Sequence, residues 1–320
     1  MFSVIIPLHN KSNYIKKCVQ SVFNQTYRDY EVIIVDDGST DDSLQIIQRI
    51  YRSYEKNLSI IVQNNLGVSS ARNNGVKISK NDYLAFLDAD DWWDEHFLER
   101  MKILIEKCPE ASLFGCNYYY VKNGKNRLDN KGLSKNFTMN YIDYISLYSS
   151  RFIVPFNCSF VIIRKDIFNS AGGFNPNLHF GEDFDLWLKI ALKYKVAYCN
   201  EPLAFSNQDA DISNKAVGSK KIYSPSENVM FNLGYLEKFE SELPKLKTLL
   251  DGLRVRALMN YFLRNLYPDI VNQELNKVDF TKQPFYFRFI YLWPIQIVKL
   301  YLQSIKVGFK IKNALLRRLA

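Results

Sequence analysis

Apolar and polar residues follow two rhythms over the first hundred positions: short β-branched runs, then segments where apolar residues return every three or four places. Phe2–Ile6 is an apolar run that predicts a strand ending at Pro7, a residue unable to donate to a central ladder. Ile15, Cys18, Val19, Val22 and Phe23 then fall on one face of a helix. Glu31–Val35 predicts a second strand, turned by Asp36-Asp37-Gly38-Ser39. Asp41 or Asp42 is placed to cap a helix carrying Leu44, Ile47, Ile50, Tyr51 and Tyr54. Leu58–Val62 predicts a third strand, Val68–Ile78 a third helix, and Tyr83–Leu87 a fourth strand that runs into Asp88-Ala89-Asp90-Asp91.

Strands and helices alternating at this spacing make βαβ units, so the expected fold class is α/β with a mostly parallel, doubly wound, Rossmann-like sheet flanked by helices. Such sheets bind ligands beyond the carboxyl ends of their strands. The unusual polar residues fall at those ends: His9 and Asn10, Asp36 and Asp37, Asn64 and Asn65, and Asp88 to Asp91. Further on, Ser112–Tyr120 and Cys158–Ile163 read as strands, and Lys122–Asn136 as a polar loop or hairpin. Gly172-Gly173-Phe174 makes a turn, and Gly181-Glu182-Asp183 opens a helix reaching about Tyr194. From about Ser224 the pattern is helical, which divides the chain into an α/β region over residues 1–222 and a helical region over 223–320.

A chain of 320 residues with 47% apolar and 23% charged positions can bury a core, which excludes disorder as its main state. The five cysteines (Cys18, Cys108, Cys116, Cys158, Cys199) are scattered and never form a CxxC pair, against both a disulfide framework and a structural zinc site. The opening MFSVIIPLHNK lacks a basic n-region and reads as a strand rather than a signal peptide, so a reducing cytosol is expected. The net charge of +9 sits in the tail: residues 281–320 hold eight basic residues, and no acid follows Asp279. The rest of the chain is close to neutral, which argues against a nucleic-acid-binding surface.

Asp88 and Asp90 follow a strand directly, and in an extended segment residues two apart point the same way. Converging carboxylates suit a hard divalent ion shared with a diphosphate; equally, they suit an acidic turn capping a helix near Trp92–Leu104. Asp36 and Asp37 suit a tight turn with Gly38 or a hydrogen-bonding site for a base or ribose. Neither GxGxxG nor GxxxxGK[ST] occurs, against dinucleotide redox chemistry and P-loop phosphoryl transfer. Glu182 and Asp183 suit the positive end of a helix, or a base that takes a proton from an attacking hydroxyl. His179 stands near them in sequence.

Taken in order, Ser3-Val4-Ile5-Ile6-Pro7-Leu8-His9-Asn10, Val35-Asp36-Asp37-Gly38-Ser39, Gly67-Val68-Ser69-Ser70-Ala71-Arg72-Asn73-Asn74-Gly75, Phe86-Leu87-Asp88-Ala89-Asp90-Asp91 and Glu182-Asp183-Phe184-Asp185-Leu186-Trp187 resemble the family 2 inverting glycosyltransferases of the GT-A fold, of bacterial surface-polysaccharide type. The resemblance covers about residues 1–200. It implies a nucleotide-sugar donor, a UDP-sugar first among them, and a divalent metal, Mg²⁺ or Mn²⁺. By position it implies that Pro7, His9 and Asn10 line the nucleotide pocket, that Asp37 binds the base with Asp36 supporting the turn, and that Arg72 sits near the nucleotide or braces the site. Asp88 and Asp90 become the DxD motif, with Asp90 the direct metal contact; Asp183 becomes the general base, and Trp187 packs beneath the acceptor. Two departures stand out. The stretch Ser206–Ser213, where many relatives carry a basic or histidine-containing closing loop, has no histidine, leaving Lys215, Lys220 or Lys221 as substitutes. The QxxRW signature of processive synthases is missing, which favours single addition.

In the tail, Lys299, Gln303, Lys306, Lys310, Asn313 and Arg317 form one polar stripe, with Val298, Leu302, Ile305, Phe309 and Leu316 on other faces. This reads as a basic amphipathic helix on an anionic membrane surface, or as a helix docked on the protein itself or in a homo-oligomer. No stretch has the roughly 18 uninterrupted apolar residues of a membrane span. The expectation is a cytoplasmic, peripheral enzyme of the inner membrane face, adding one sugar to a glycan or lipid-linked acceptor. A nucleotidyltransferase and a catalytically silent glycan-pathway subunit remain as alternatives.

Overall fold

Strand β1 (Phe2–Leu8) is buried along its whole length between two parallel neighbours, which accounts for a run that is apolar at every position but Ser3. The computed structural model describes residues 1–54 (51–54 as backbone only), 57–129, 131–210 and 221–304. The strand runs past Pro7 to Leu8, because pairing with the neighbour on one side ends at Ile5–Phe86. Pro7 shares the parity of Ile5, so its missing N–H faces that vacated side, where no ladder bond is lost.

After β1 come α1 (Ile15–Phe23), β2 (Tyr30–Asp37), α2 (Ser43–Tyr54), β3 (Leu58–Gln63), α3 (Val68–Ile78) and β4 (Tyr83–Phe86). The buried residues of α1 are Ile15, Cys18, Val19, Val22 and Phe23, the face given by its periodicity. The helix cap falls to Asp41, whose Oδ1 accepts from the Ser43 N–H at 3.0 Å. Strands β3, β2, β1 and β4 lie side by side, all parallel.

Beyond β4 the sheet becomes mixed. The elements are β5 (Trp92–Trp93), α4 (Phe97–Lys107), β6 (Ala111–Lys122), β7 (Lys125–Leu128), β8 (Met139–Ile142), α5 (Tyr144–Arg151), β9 (Val161–Arg164), α6 (Lys165–Ser170), α7 (Glu182–Ala191) and β10 (Lys195–Asn207). β9 is antiparallel between β4 and β6, and β10 runs parallel to β6, extending the sheet to ten strands. The architecture is the expected α/β sheet with flanking helices, parallel over β3, β2, β1 and β4 and mixed beyond.

Three local expectations are corrected. The helix expected near Trp92–Leu104 begins only at Phe97, because Trp92 and Trp93 pair with Phe205 and Ala204 of β10. Residues 158–160 form a 3₁₀ turn, and the strand covers Val161–Arg164. The helix expected to reach Tyr194 is α-helical only to Ala191.

The chain divides into two units, Met1–Leu233 and Gly234–Ala320. In the second, α8 (Glu237–Glu242), α9 (Pro244–Ala257), α10 (Met259–Leu263), α11 (Pro268–Leu275) and α12 (Phe285–Leu292) precede a helical segment over 295–304. Its core combines Leu246, Leu249, Leu250 and Val255 with the fully buried Arg254. That guanidinium donates to both carboxylate oxygens of Glu240, at 2.9 and 2.7 Å, which offsets the cost of burying the charge. No helix among the described residues is long and apolar enough to cross a membrane. Lys306, Lys310, Asn313 and Arg317 of the expected tail stripe, with Ile305, Phe309 and Leu316, lie outside the described residues, as do Lys215 and Lys220.

Candidate active site

The carboxyl ends of β1, β2 and β4 meet the amino end of α7, and the polar residues of the sequence motifs collect there. Arg72, on α3, is buried at the centre. Its Nη2 donates to Asp88 Oδ1 at 2.7 Å and its Nη1 to Glu182 Oε1 at 3.0 Å. One guanidinium therefore joins the segment after β4 to the first turn of α7, which lies 110 residues beyond Arg72 in sequence.

Asp183 is the next residue of α7. Burial, then the neighbouring Glu182 carboxylate, push its carboxyl up to about 7, opposed by Arg72. Its Oδ1 accepts the Phe184 N–H at 2.7 Å. Gly181 precedes the helix with φ +80°, and a Cβ there would lie 2.3 Å from Val229 Cγ1. Only glycine tolerates both conditions, and they fix where α7 begins and where Asp183 stands.

The second carboxylate of the DxD pair is held differently. Asp90 Oδ2 accepts from Lys11 Nζ at 2.7 Å, and Lys11 lies three residues past the end of β1. The Asp88 backbone N–H donates to Ser159 Oγ at 3.1 Å. Asp91 is buried and accepts the Asn207 N–H at 2.8 Å, tying this turn to the end of β10. Burial first, and Asp90 and Asp88 next, raise the Asp91 carboxyl well above the usual carboxylate range. The turn is thus a strand-end loop braced from β1, β10 and the 3₁₀ turn, and caps no helix at Trp92.

On the β2 side Asp37, rather than Asp36, accepts the bonds that hold the turn. Asp37 does the bracing: Oδ1 accepts from Gln63 Nε2 at 2.8 Å and the Leu66 N–H at 2.7 Å, and Oδ2 accepts the Gly67 N–H at 2.9 Å. Asp36, expected to support the turn, is 1% exposed and its Oδ1 has no hydrogen-bond partner among the described residues. His9 sits 2.9 Å through Nδ1 from the Asp37 carbonyl. Asn10 adopts φ +52°, and its Oδ1 accepts the Thr40 N–H at 2.8 Å. Pro7, His9 and Asn10 therefore line one edge, closed by the β2 and β3 loops.

Trp187 is buried one turn after Asp183, edge-on to Phe174 and Phe156 with centroids at 6.0 and 6.3 Å. Among the described residues its Nε1 has no partner, nor does the buried hydroxyl of Tyr144, which packs on the same Phe156 at 5.3 Å and feels the Asp183 charge. A buried unpaired hydroxyl carries its full desolvation cost, so Tyr144→Phe should raise the unfolding free energy by about 1 kcal/mol in urea titrations. A loss of stability would mean the hydroxyl is satisfied. His179 pairs with Glu227, Nδ1 to Oε1 at 2.8 Å. Lys221 lies 4.7 Å from the Tyr223 ring centre, and Ser206 and Asn207 belong to β10.

Lys11 carries no motif of its own in the sequence, though a basic residue in the His9-Asn10 turn, facing an acidic strand end, is a usable signal. Among the described residues no cluster of three or more His, Cys, Asp and Glu side chains is arranged to hold a metal. Arg72 and Lys11 each engage one oxygen of Asp88 and Asp90, which leaves the other oxygen of each carboxylate. Two hard oxygens fit a Mg²⁺ or Mn²⁺ ion whose remaining ligands come from a diphosphate and water.

Comparison with known proteins agrees with this arrangement. A model of the family described as glycosyl transferase family 2 matches residues 3–170. The glycosyltransferase GlyA of Streptococcus pneumoniae is 30% identical over 63% of this chain and 30% of its own length. AmsE, an amylovoran biosynthesis glycosyltransferase of Erwinia amylovora, is 30% identical over 70% of this chain and 82% of its own. The chain thus spans under a third of GlyA and most of AmsE. The crystal structure of S. aureus TarS residues 1–349 with UDP-GlcNAc superposes with a TM-score of 0.67 and 20% identity, over 86% of this chain and 79% of that one, which shows a shared fold.

Proposed function

The chain belongs to family 2 of the glycosyltransferases, and from that premise we propose that it moves one sugar from a UDP-sugar to a hydroxyl of a glycan or lipid-linked acceptor, with inversion at the anomeric carbon. The observation that supports this reading is the Arg72 bridge between Asp88 and Glu182, which ties the strand end carrying Asp88 to the helix turn carrying Asp183. In this reading Asp183 takes the proton of the acceptor hydroxyl as its oxygen attacks C1, and the bond to the nucleoside diphosphate breaks on the opposite face. A carboxyl titrating at about 7 is matched to that task, since a base is most useful near the working pH. Lys11 and Arg72 supply positive charge where the diphosphate departs. A divalent ion bound by Asp88 and Asp90 would add further charge stabilisation there. Pro7, His9, Asn10, Asp36 and Asp37 form the nucleoside side, with Asp36 buried beneath it. Trp187 and Tyr144 form the acceptor side. AmsE favours a place in polysaccharide assembly, and the basic tail favours work on the cytoplasmic face of a membrane.

Incubation with a panel of nucleotide sugars tests the reading. Nucleoside diphosphate should be released from at least one donor, UDP-linked, and EDTA should slow release by about 10²-fold, corresponding to several kcal/mol of ionic stabilisation. Pyrophosphate release with nucleotide incorporation would instead establish a nucleotidyltransferase. Pathway output unchanged by Asp183→Asn would establish a silent subunit.

A further inference from the structure

The second unit presents an apolar face that its own core leaves uncovered. Ile290 of α12 and Val298 of the segment 295–304 are fully buried, so each helix already spends one side on the unit's interior. On other faces Phe285 and Leu300 are each 67% exposed, Leu292 60% and Trp293 49%. Phe285 and Trp293 are not scattered single residues. Phe289 stacks on Phe285 at 6.4 Å and meets Trp293 at 5.2 Å and Tyr301 at 5.1 Å, so both helices contribute to one aromatic patch. Contiguous apolar surface of this kind marks an interaction site.

We propose that this face, spanning α12 and residues 295–304, seats the protein on an anionic lipid bilayer, with Phe285, Trp293 and Leu300 entering the headgroup–acyl boundary. This rests on and sharpens the membrane reading of the tail, adding α12 to the contact. Charge selects a bilayer over a second copy of the chain. Arg288 and Lys299 are exposed on these helices, no acidic residue occurs after Asp279, and five more basic residues follow position 304. Two copies would bring like charges together, whereas an anionic surface neutralises them. Side-chain chemistry agrees. Trp and Tyr, with an apolar ring and a polar atom, favour the interfacial zone, and an apolar face ringed by cations lies in the plane of the membrane.

Sedimentation of the full chain with phosphatidylcholine vesicles, with and without phosphatidylglycerol, tests the proposal. The wild type should pellet with the anionic vesicles, weakly with neutral ones, and less as salt is raised. A Phe285→Ser, Trp293→Ser, Leu300→Ser variant alters exposed positions, so its circular dichroism and melting should match the wild type. Its partitioning should fall by about ten-fold or more, given that affinity scales with inserted apolar area. Nucleoside diphosphate release in detergent-free buffer should be unchanged, so the seating and the transfer reactions fail separately. Equal partitioning of wild type and variant overturns the proposal and assigns the contact to residues 305–320. A wild type that ignores vesicles but elutes as a dimer, which the variant converts to monomer, overturns it in favour of a protein interface.

Discussion

Asp183→Asn should lower sugar transfer by about 10²–10⁴-fold, the usual worth of a positioned general base, while nucleoside diphosphate still binds with wild-type affinity. The amide keeps the shape of the side chain and the start of α7, but has no basic oxygen. The wild-type pH profile carries the same signature. Because the Asp183 carboxyl is pushed up to about 7 by burial and by Glu182, it is protonated and inactive below that pH. Transfer should climb about tenfold per pH unit toward 7, as one deprotonation requires, and then level off. The linkage to stability has a definite sign. The folded state keeps this proton to about 7, whereas an ordinary aspartate loses it near 3.8, so this group's stabilising contribution fades as pH rises between those values. Asp183→Asn should remove that slope, and its urea-unfolding free energy at pH 8 should equal or exceed the wild type's.

Arg72→Met should be the most damaging single change to the scaffold of the site. Arg72 is buried and balances Asp88 and Glu182, so its removal leaves two carboxylates facing each other without a cation. Breaking a buried pair in this way costs about 3–5 kcal/mol. Asp88 keeps 34% of its side chain in solvent, which favours the lower figure. The same substitution removes the main influence holding the Asp183 carboxyl down, so the rising limb of the pH profile should move alkaline. Arg72→Lys should recover part of the stability but not the bridge, since one ammonium cannot span both carboxylates as a planar fork does. An unfolding loss below about 1 kcal/mol for Arg72→Met would place the pair among exposed, screened contacts.

The parts of this molecule legible in its sequence are those decided locally. The burial face of α1 follows from the spacing of Ile15, Cys18, Val19, Val22 and Phe23, and strands β1 to β4 follow from β-branched runs between polar turns. Long-range pairing was not legible. Trp92 and Trp93 lie where an acidic cluster predicts a helix start, yet strand pairing with β10, more than a hundred residues downstream, takes them into the sheet. Asp36 and Asp37 show the same limit at atomic scale. Adjacent residues on a strand point to opposite faces, and which one meets the β3–α3 loop depends on how β2 and β3 pair. The motif residues near Arg72 were all visible, but the link from Arg72 to Glu182 is a tertiary fact. So is the salt bridge from Lys11 to Asp90.

The most direct test is calorimetric titration of nucleoside diphosphates, UDP first, into the wild type, Asp90→Asn and Asp183→Asn, each with Mn²⁺ and with EDTA. A diphosphate site held by Asp90 through the metal, with Asp183 acting only on the acceptor, predicts metal-dependent binding by the wild type, the same binding by Asp183→Asn, and its loss in Asp90→Asn. Binding that ignores the ion and both substitutions, or no binding of any nucleoside diphosphate, would contradict it.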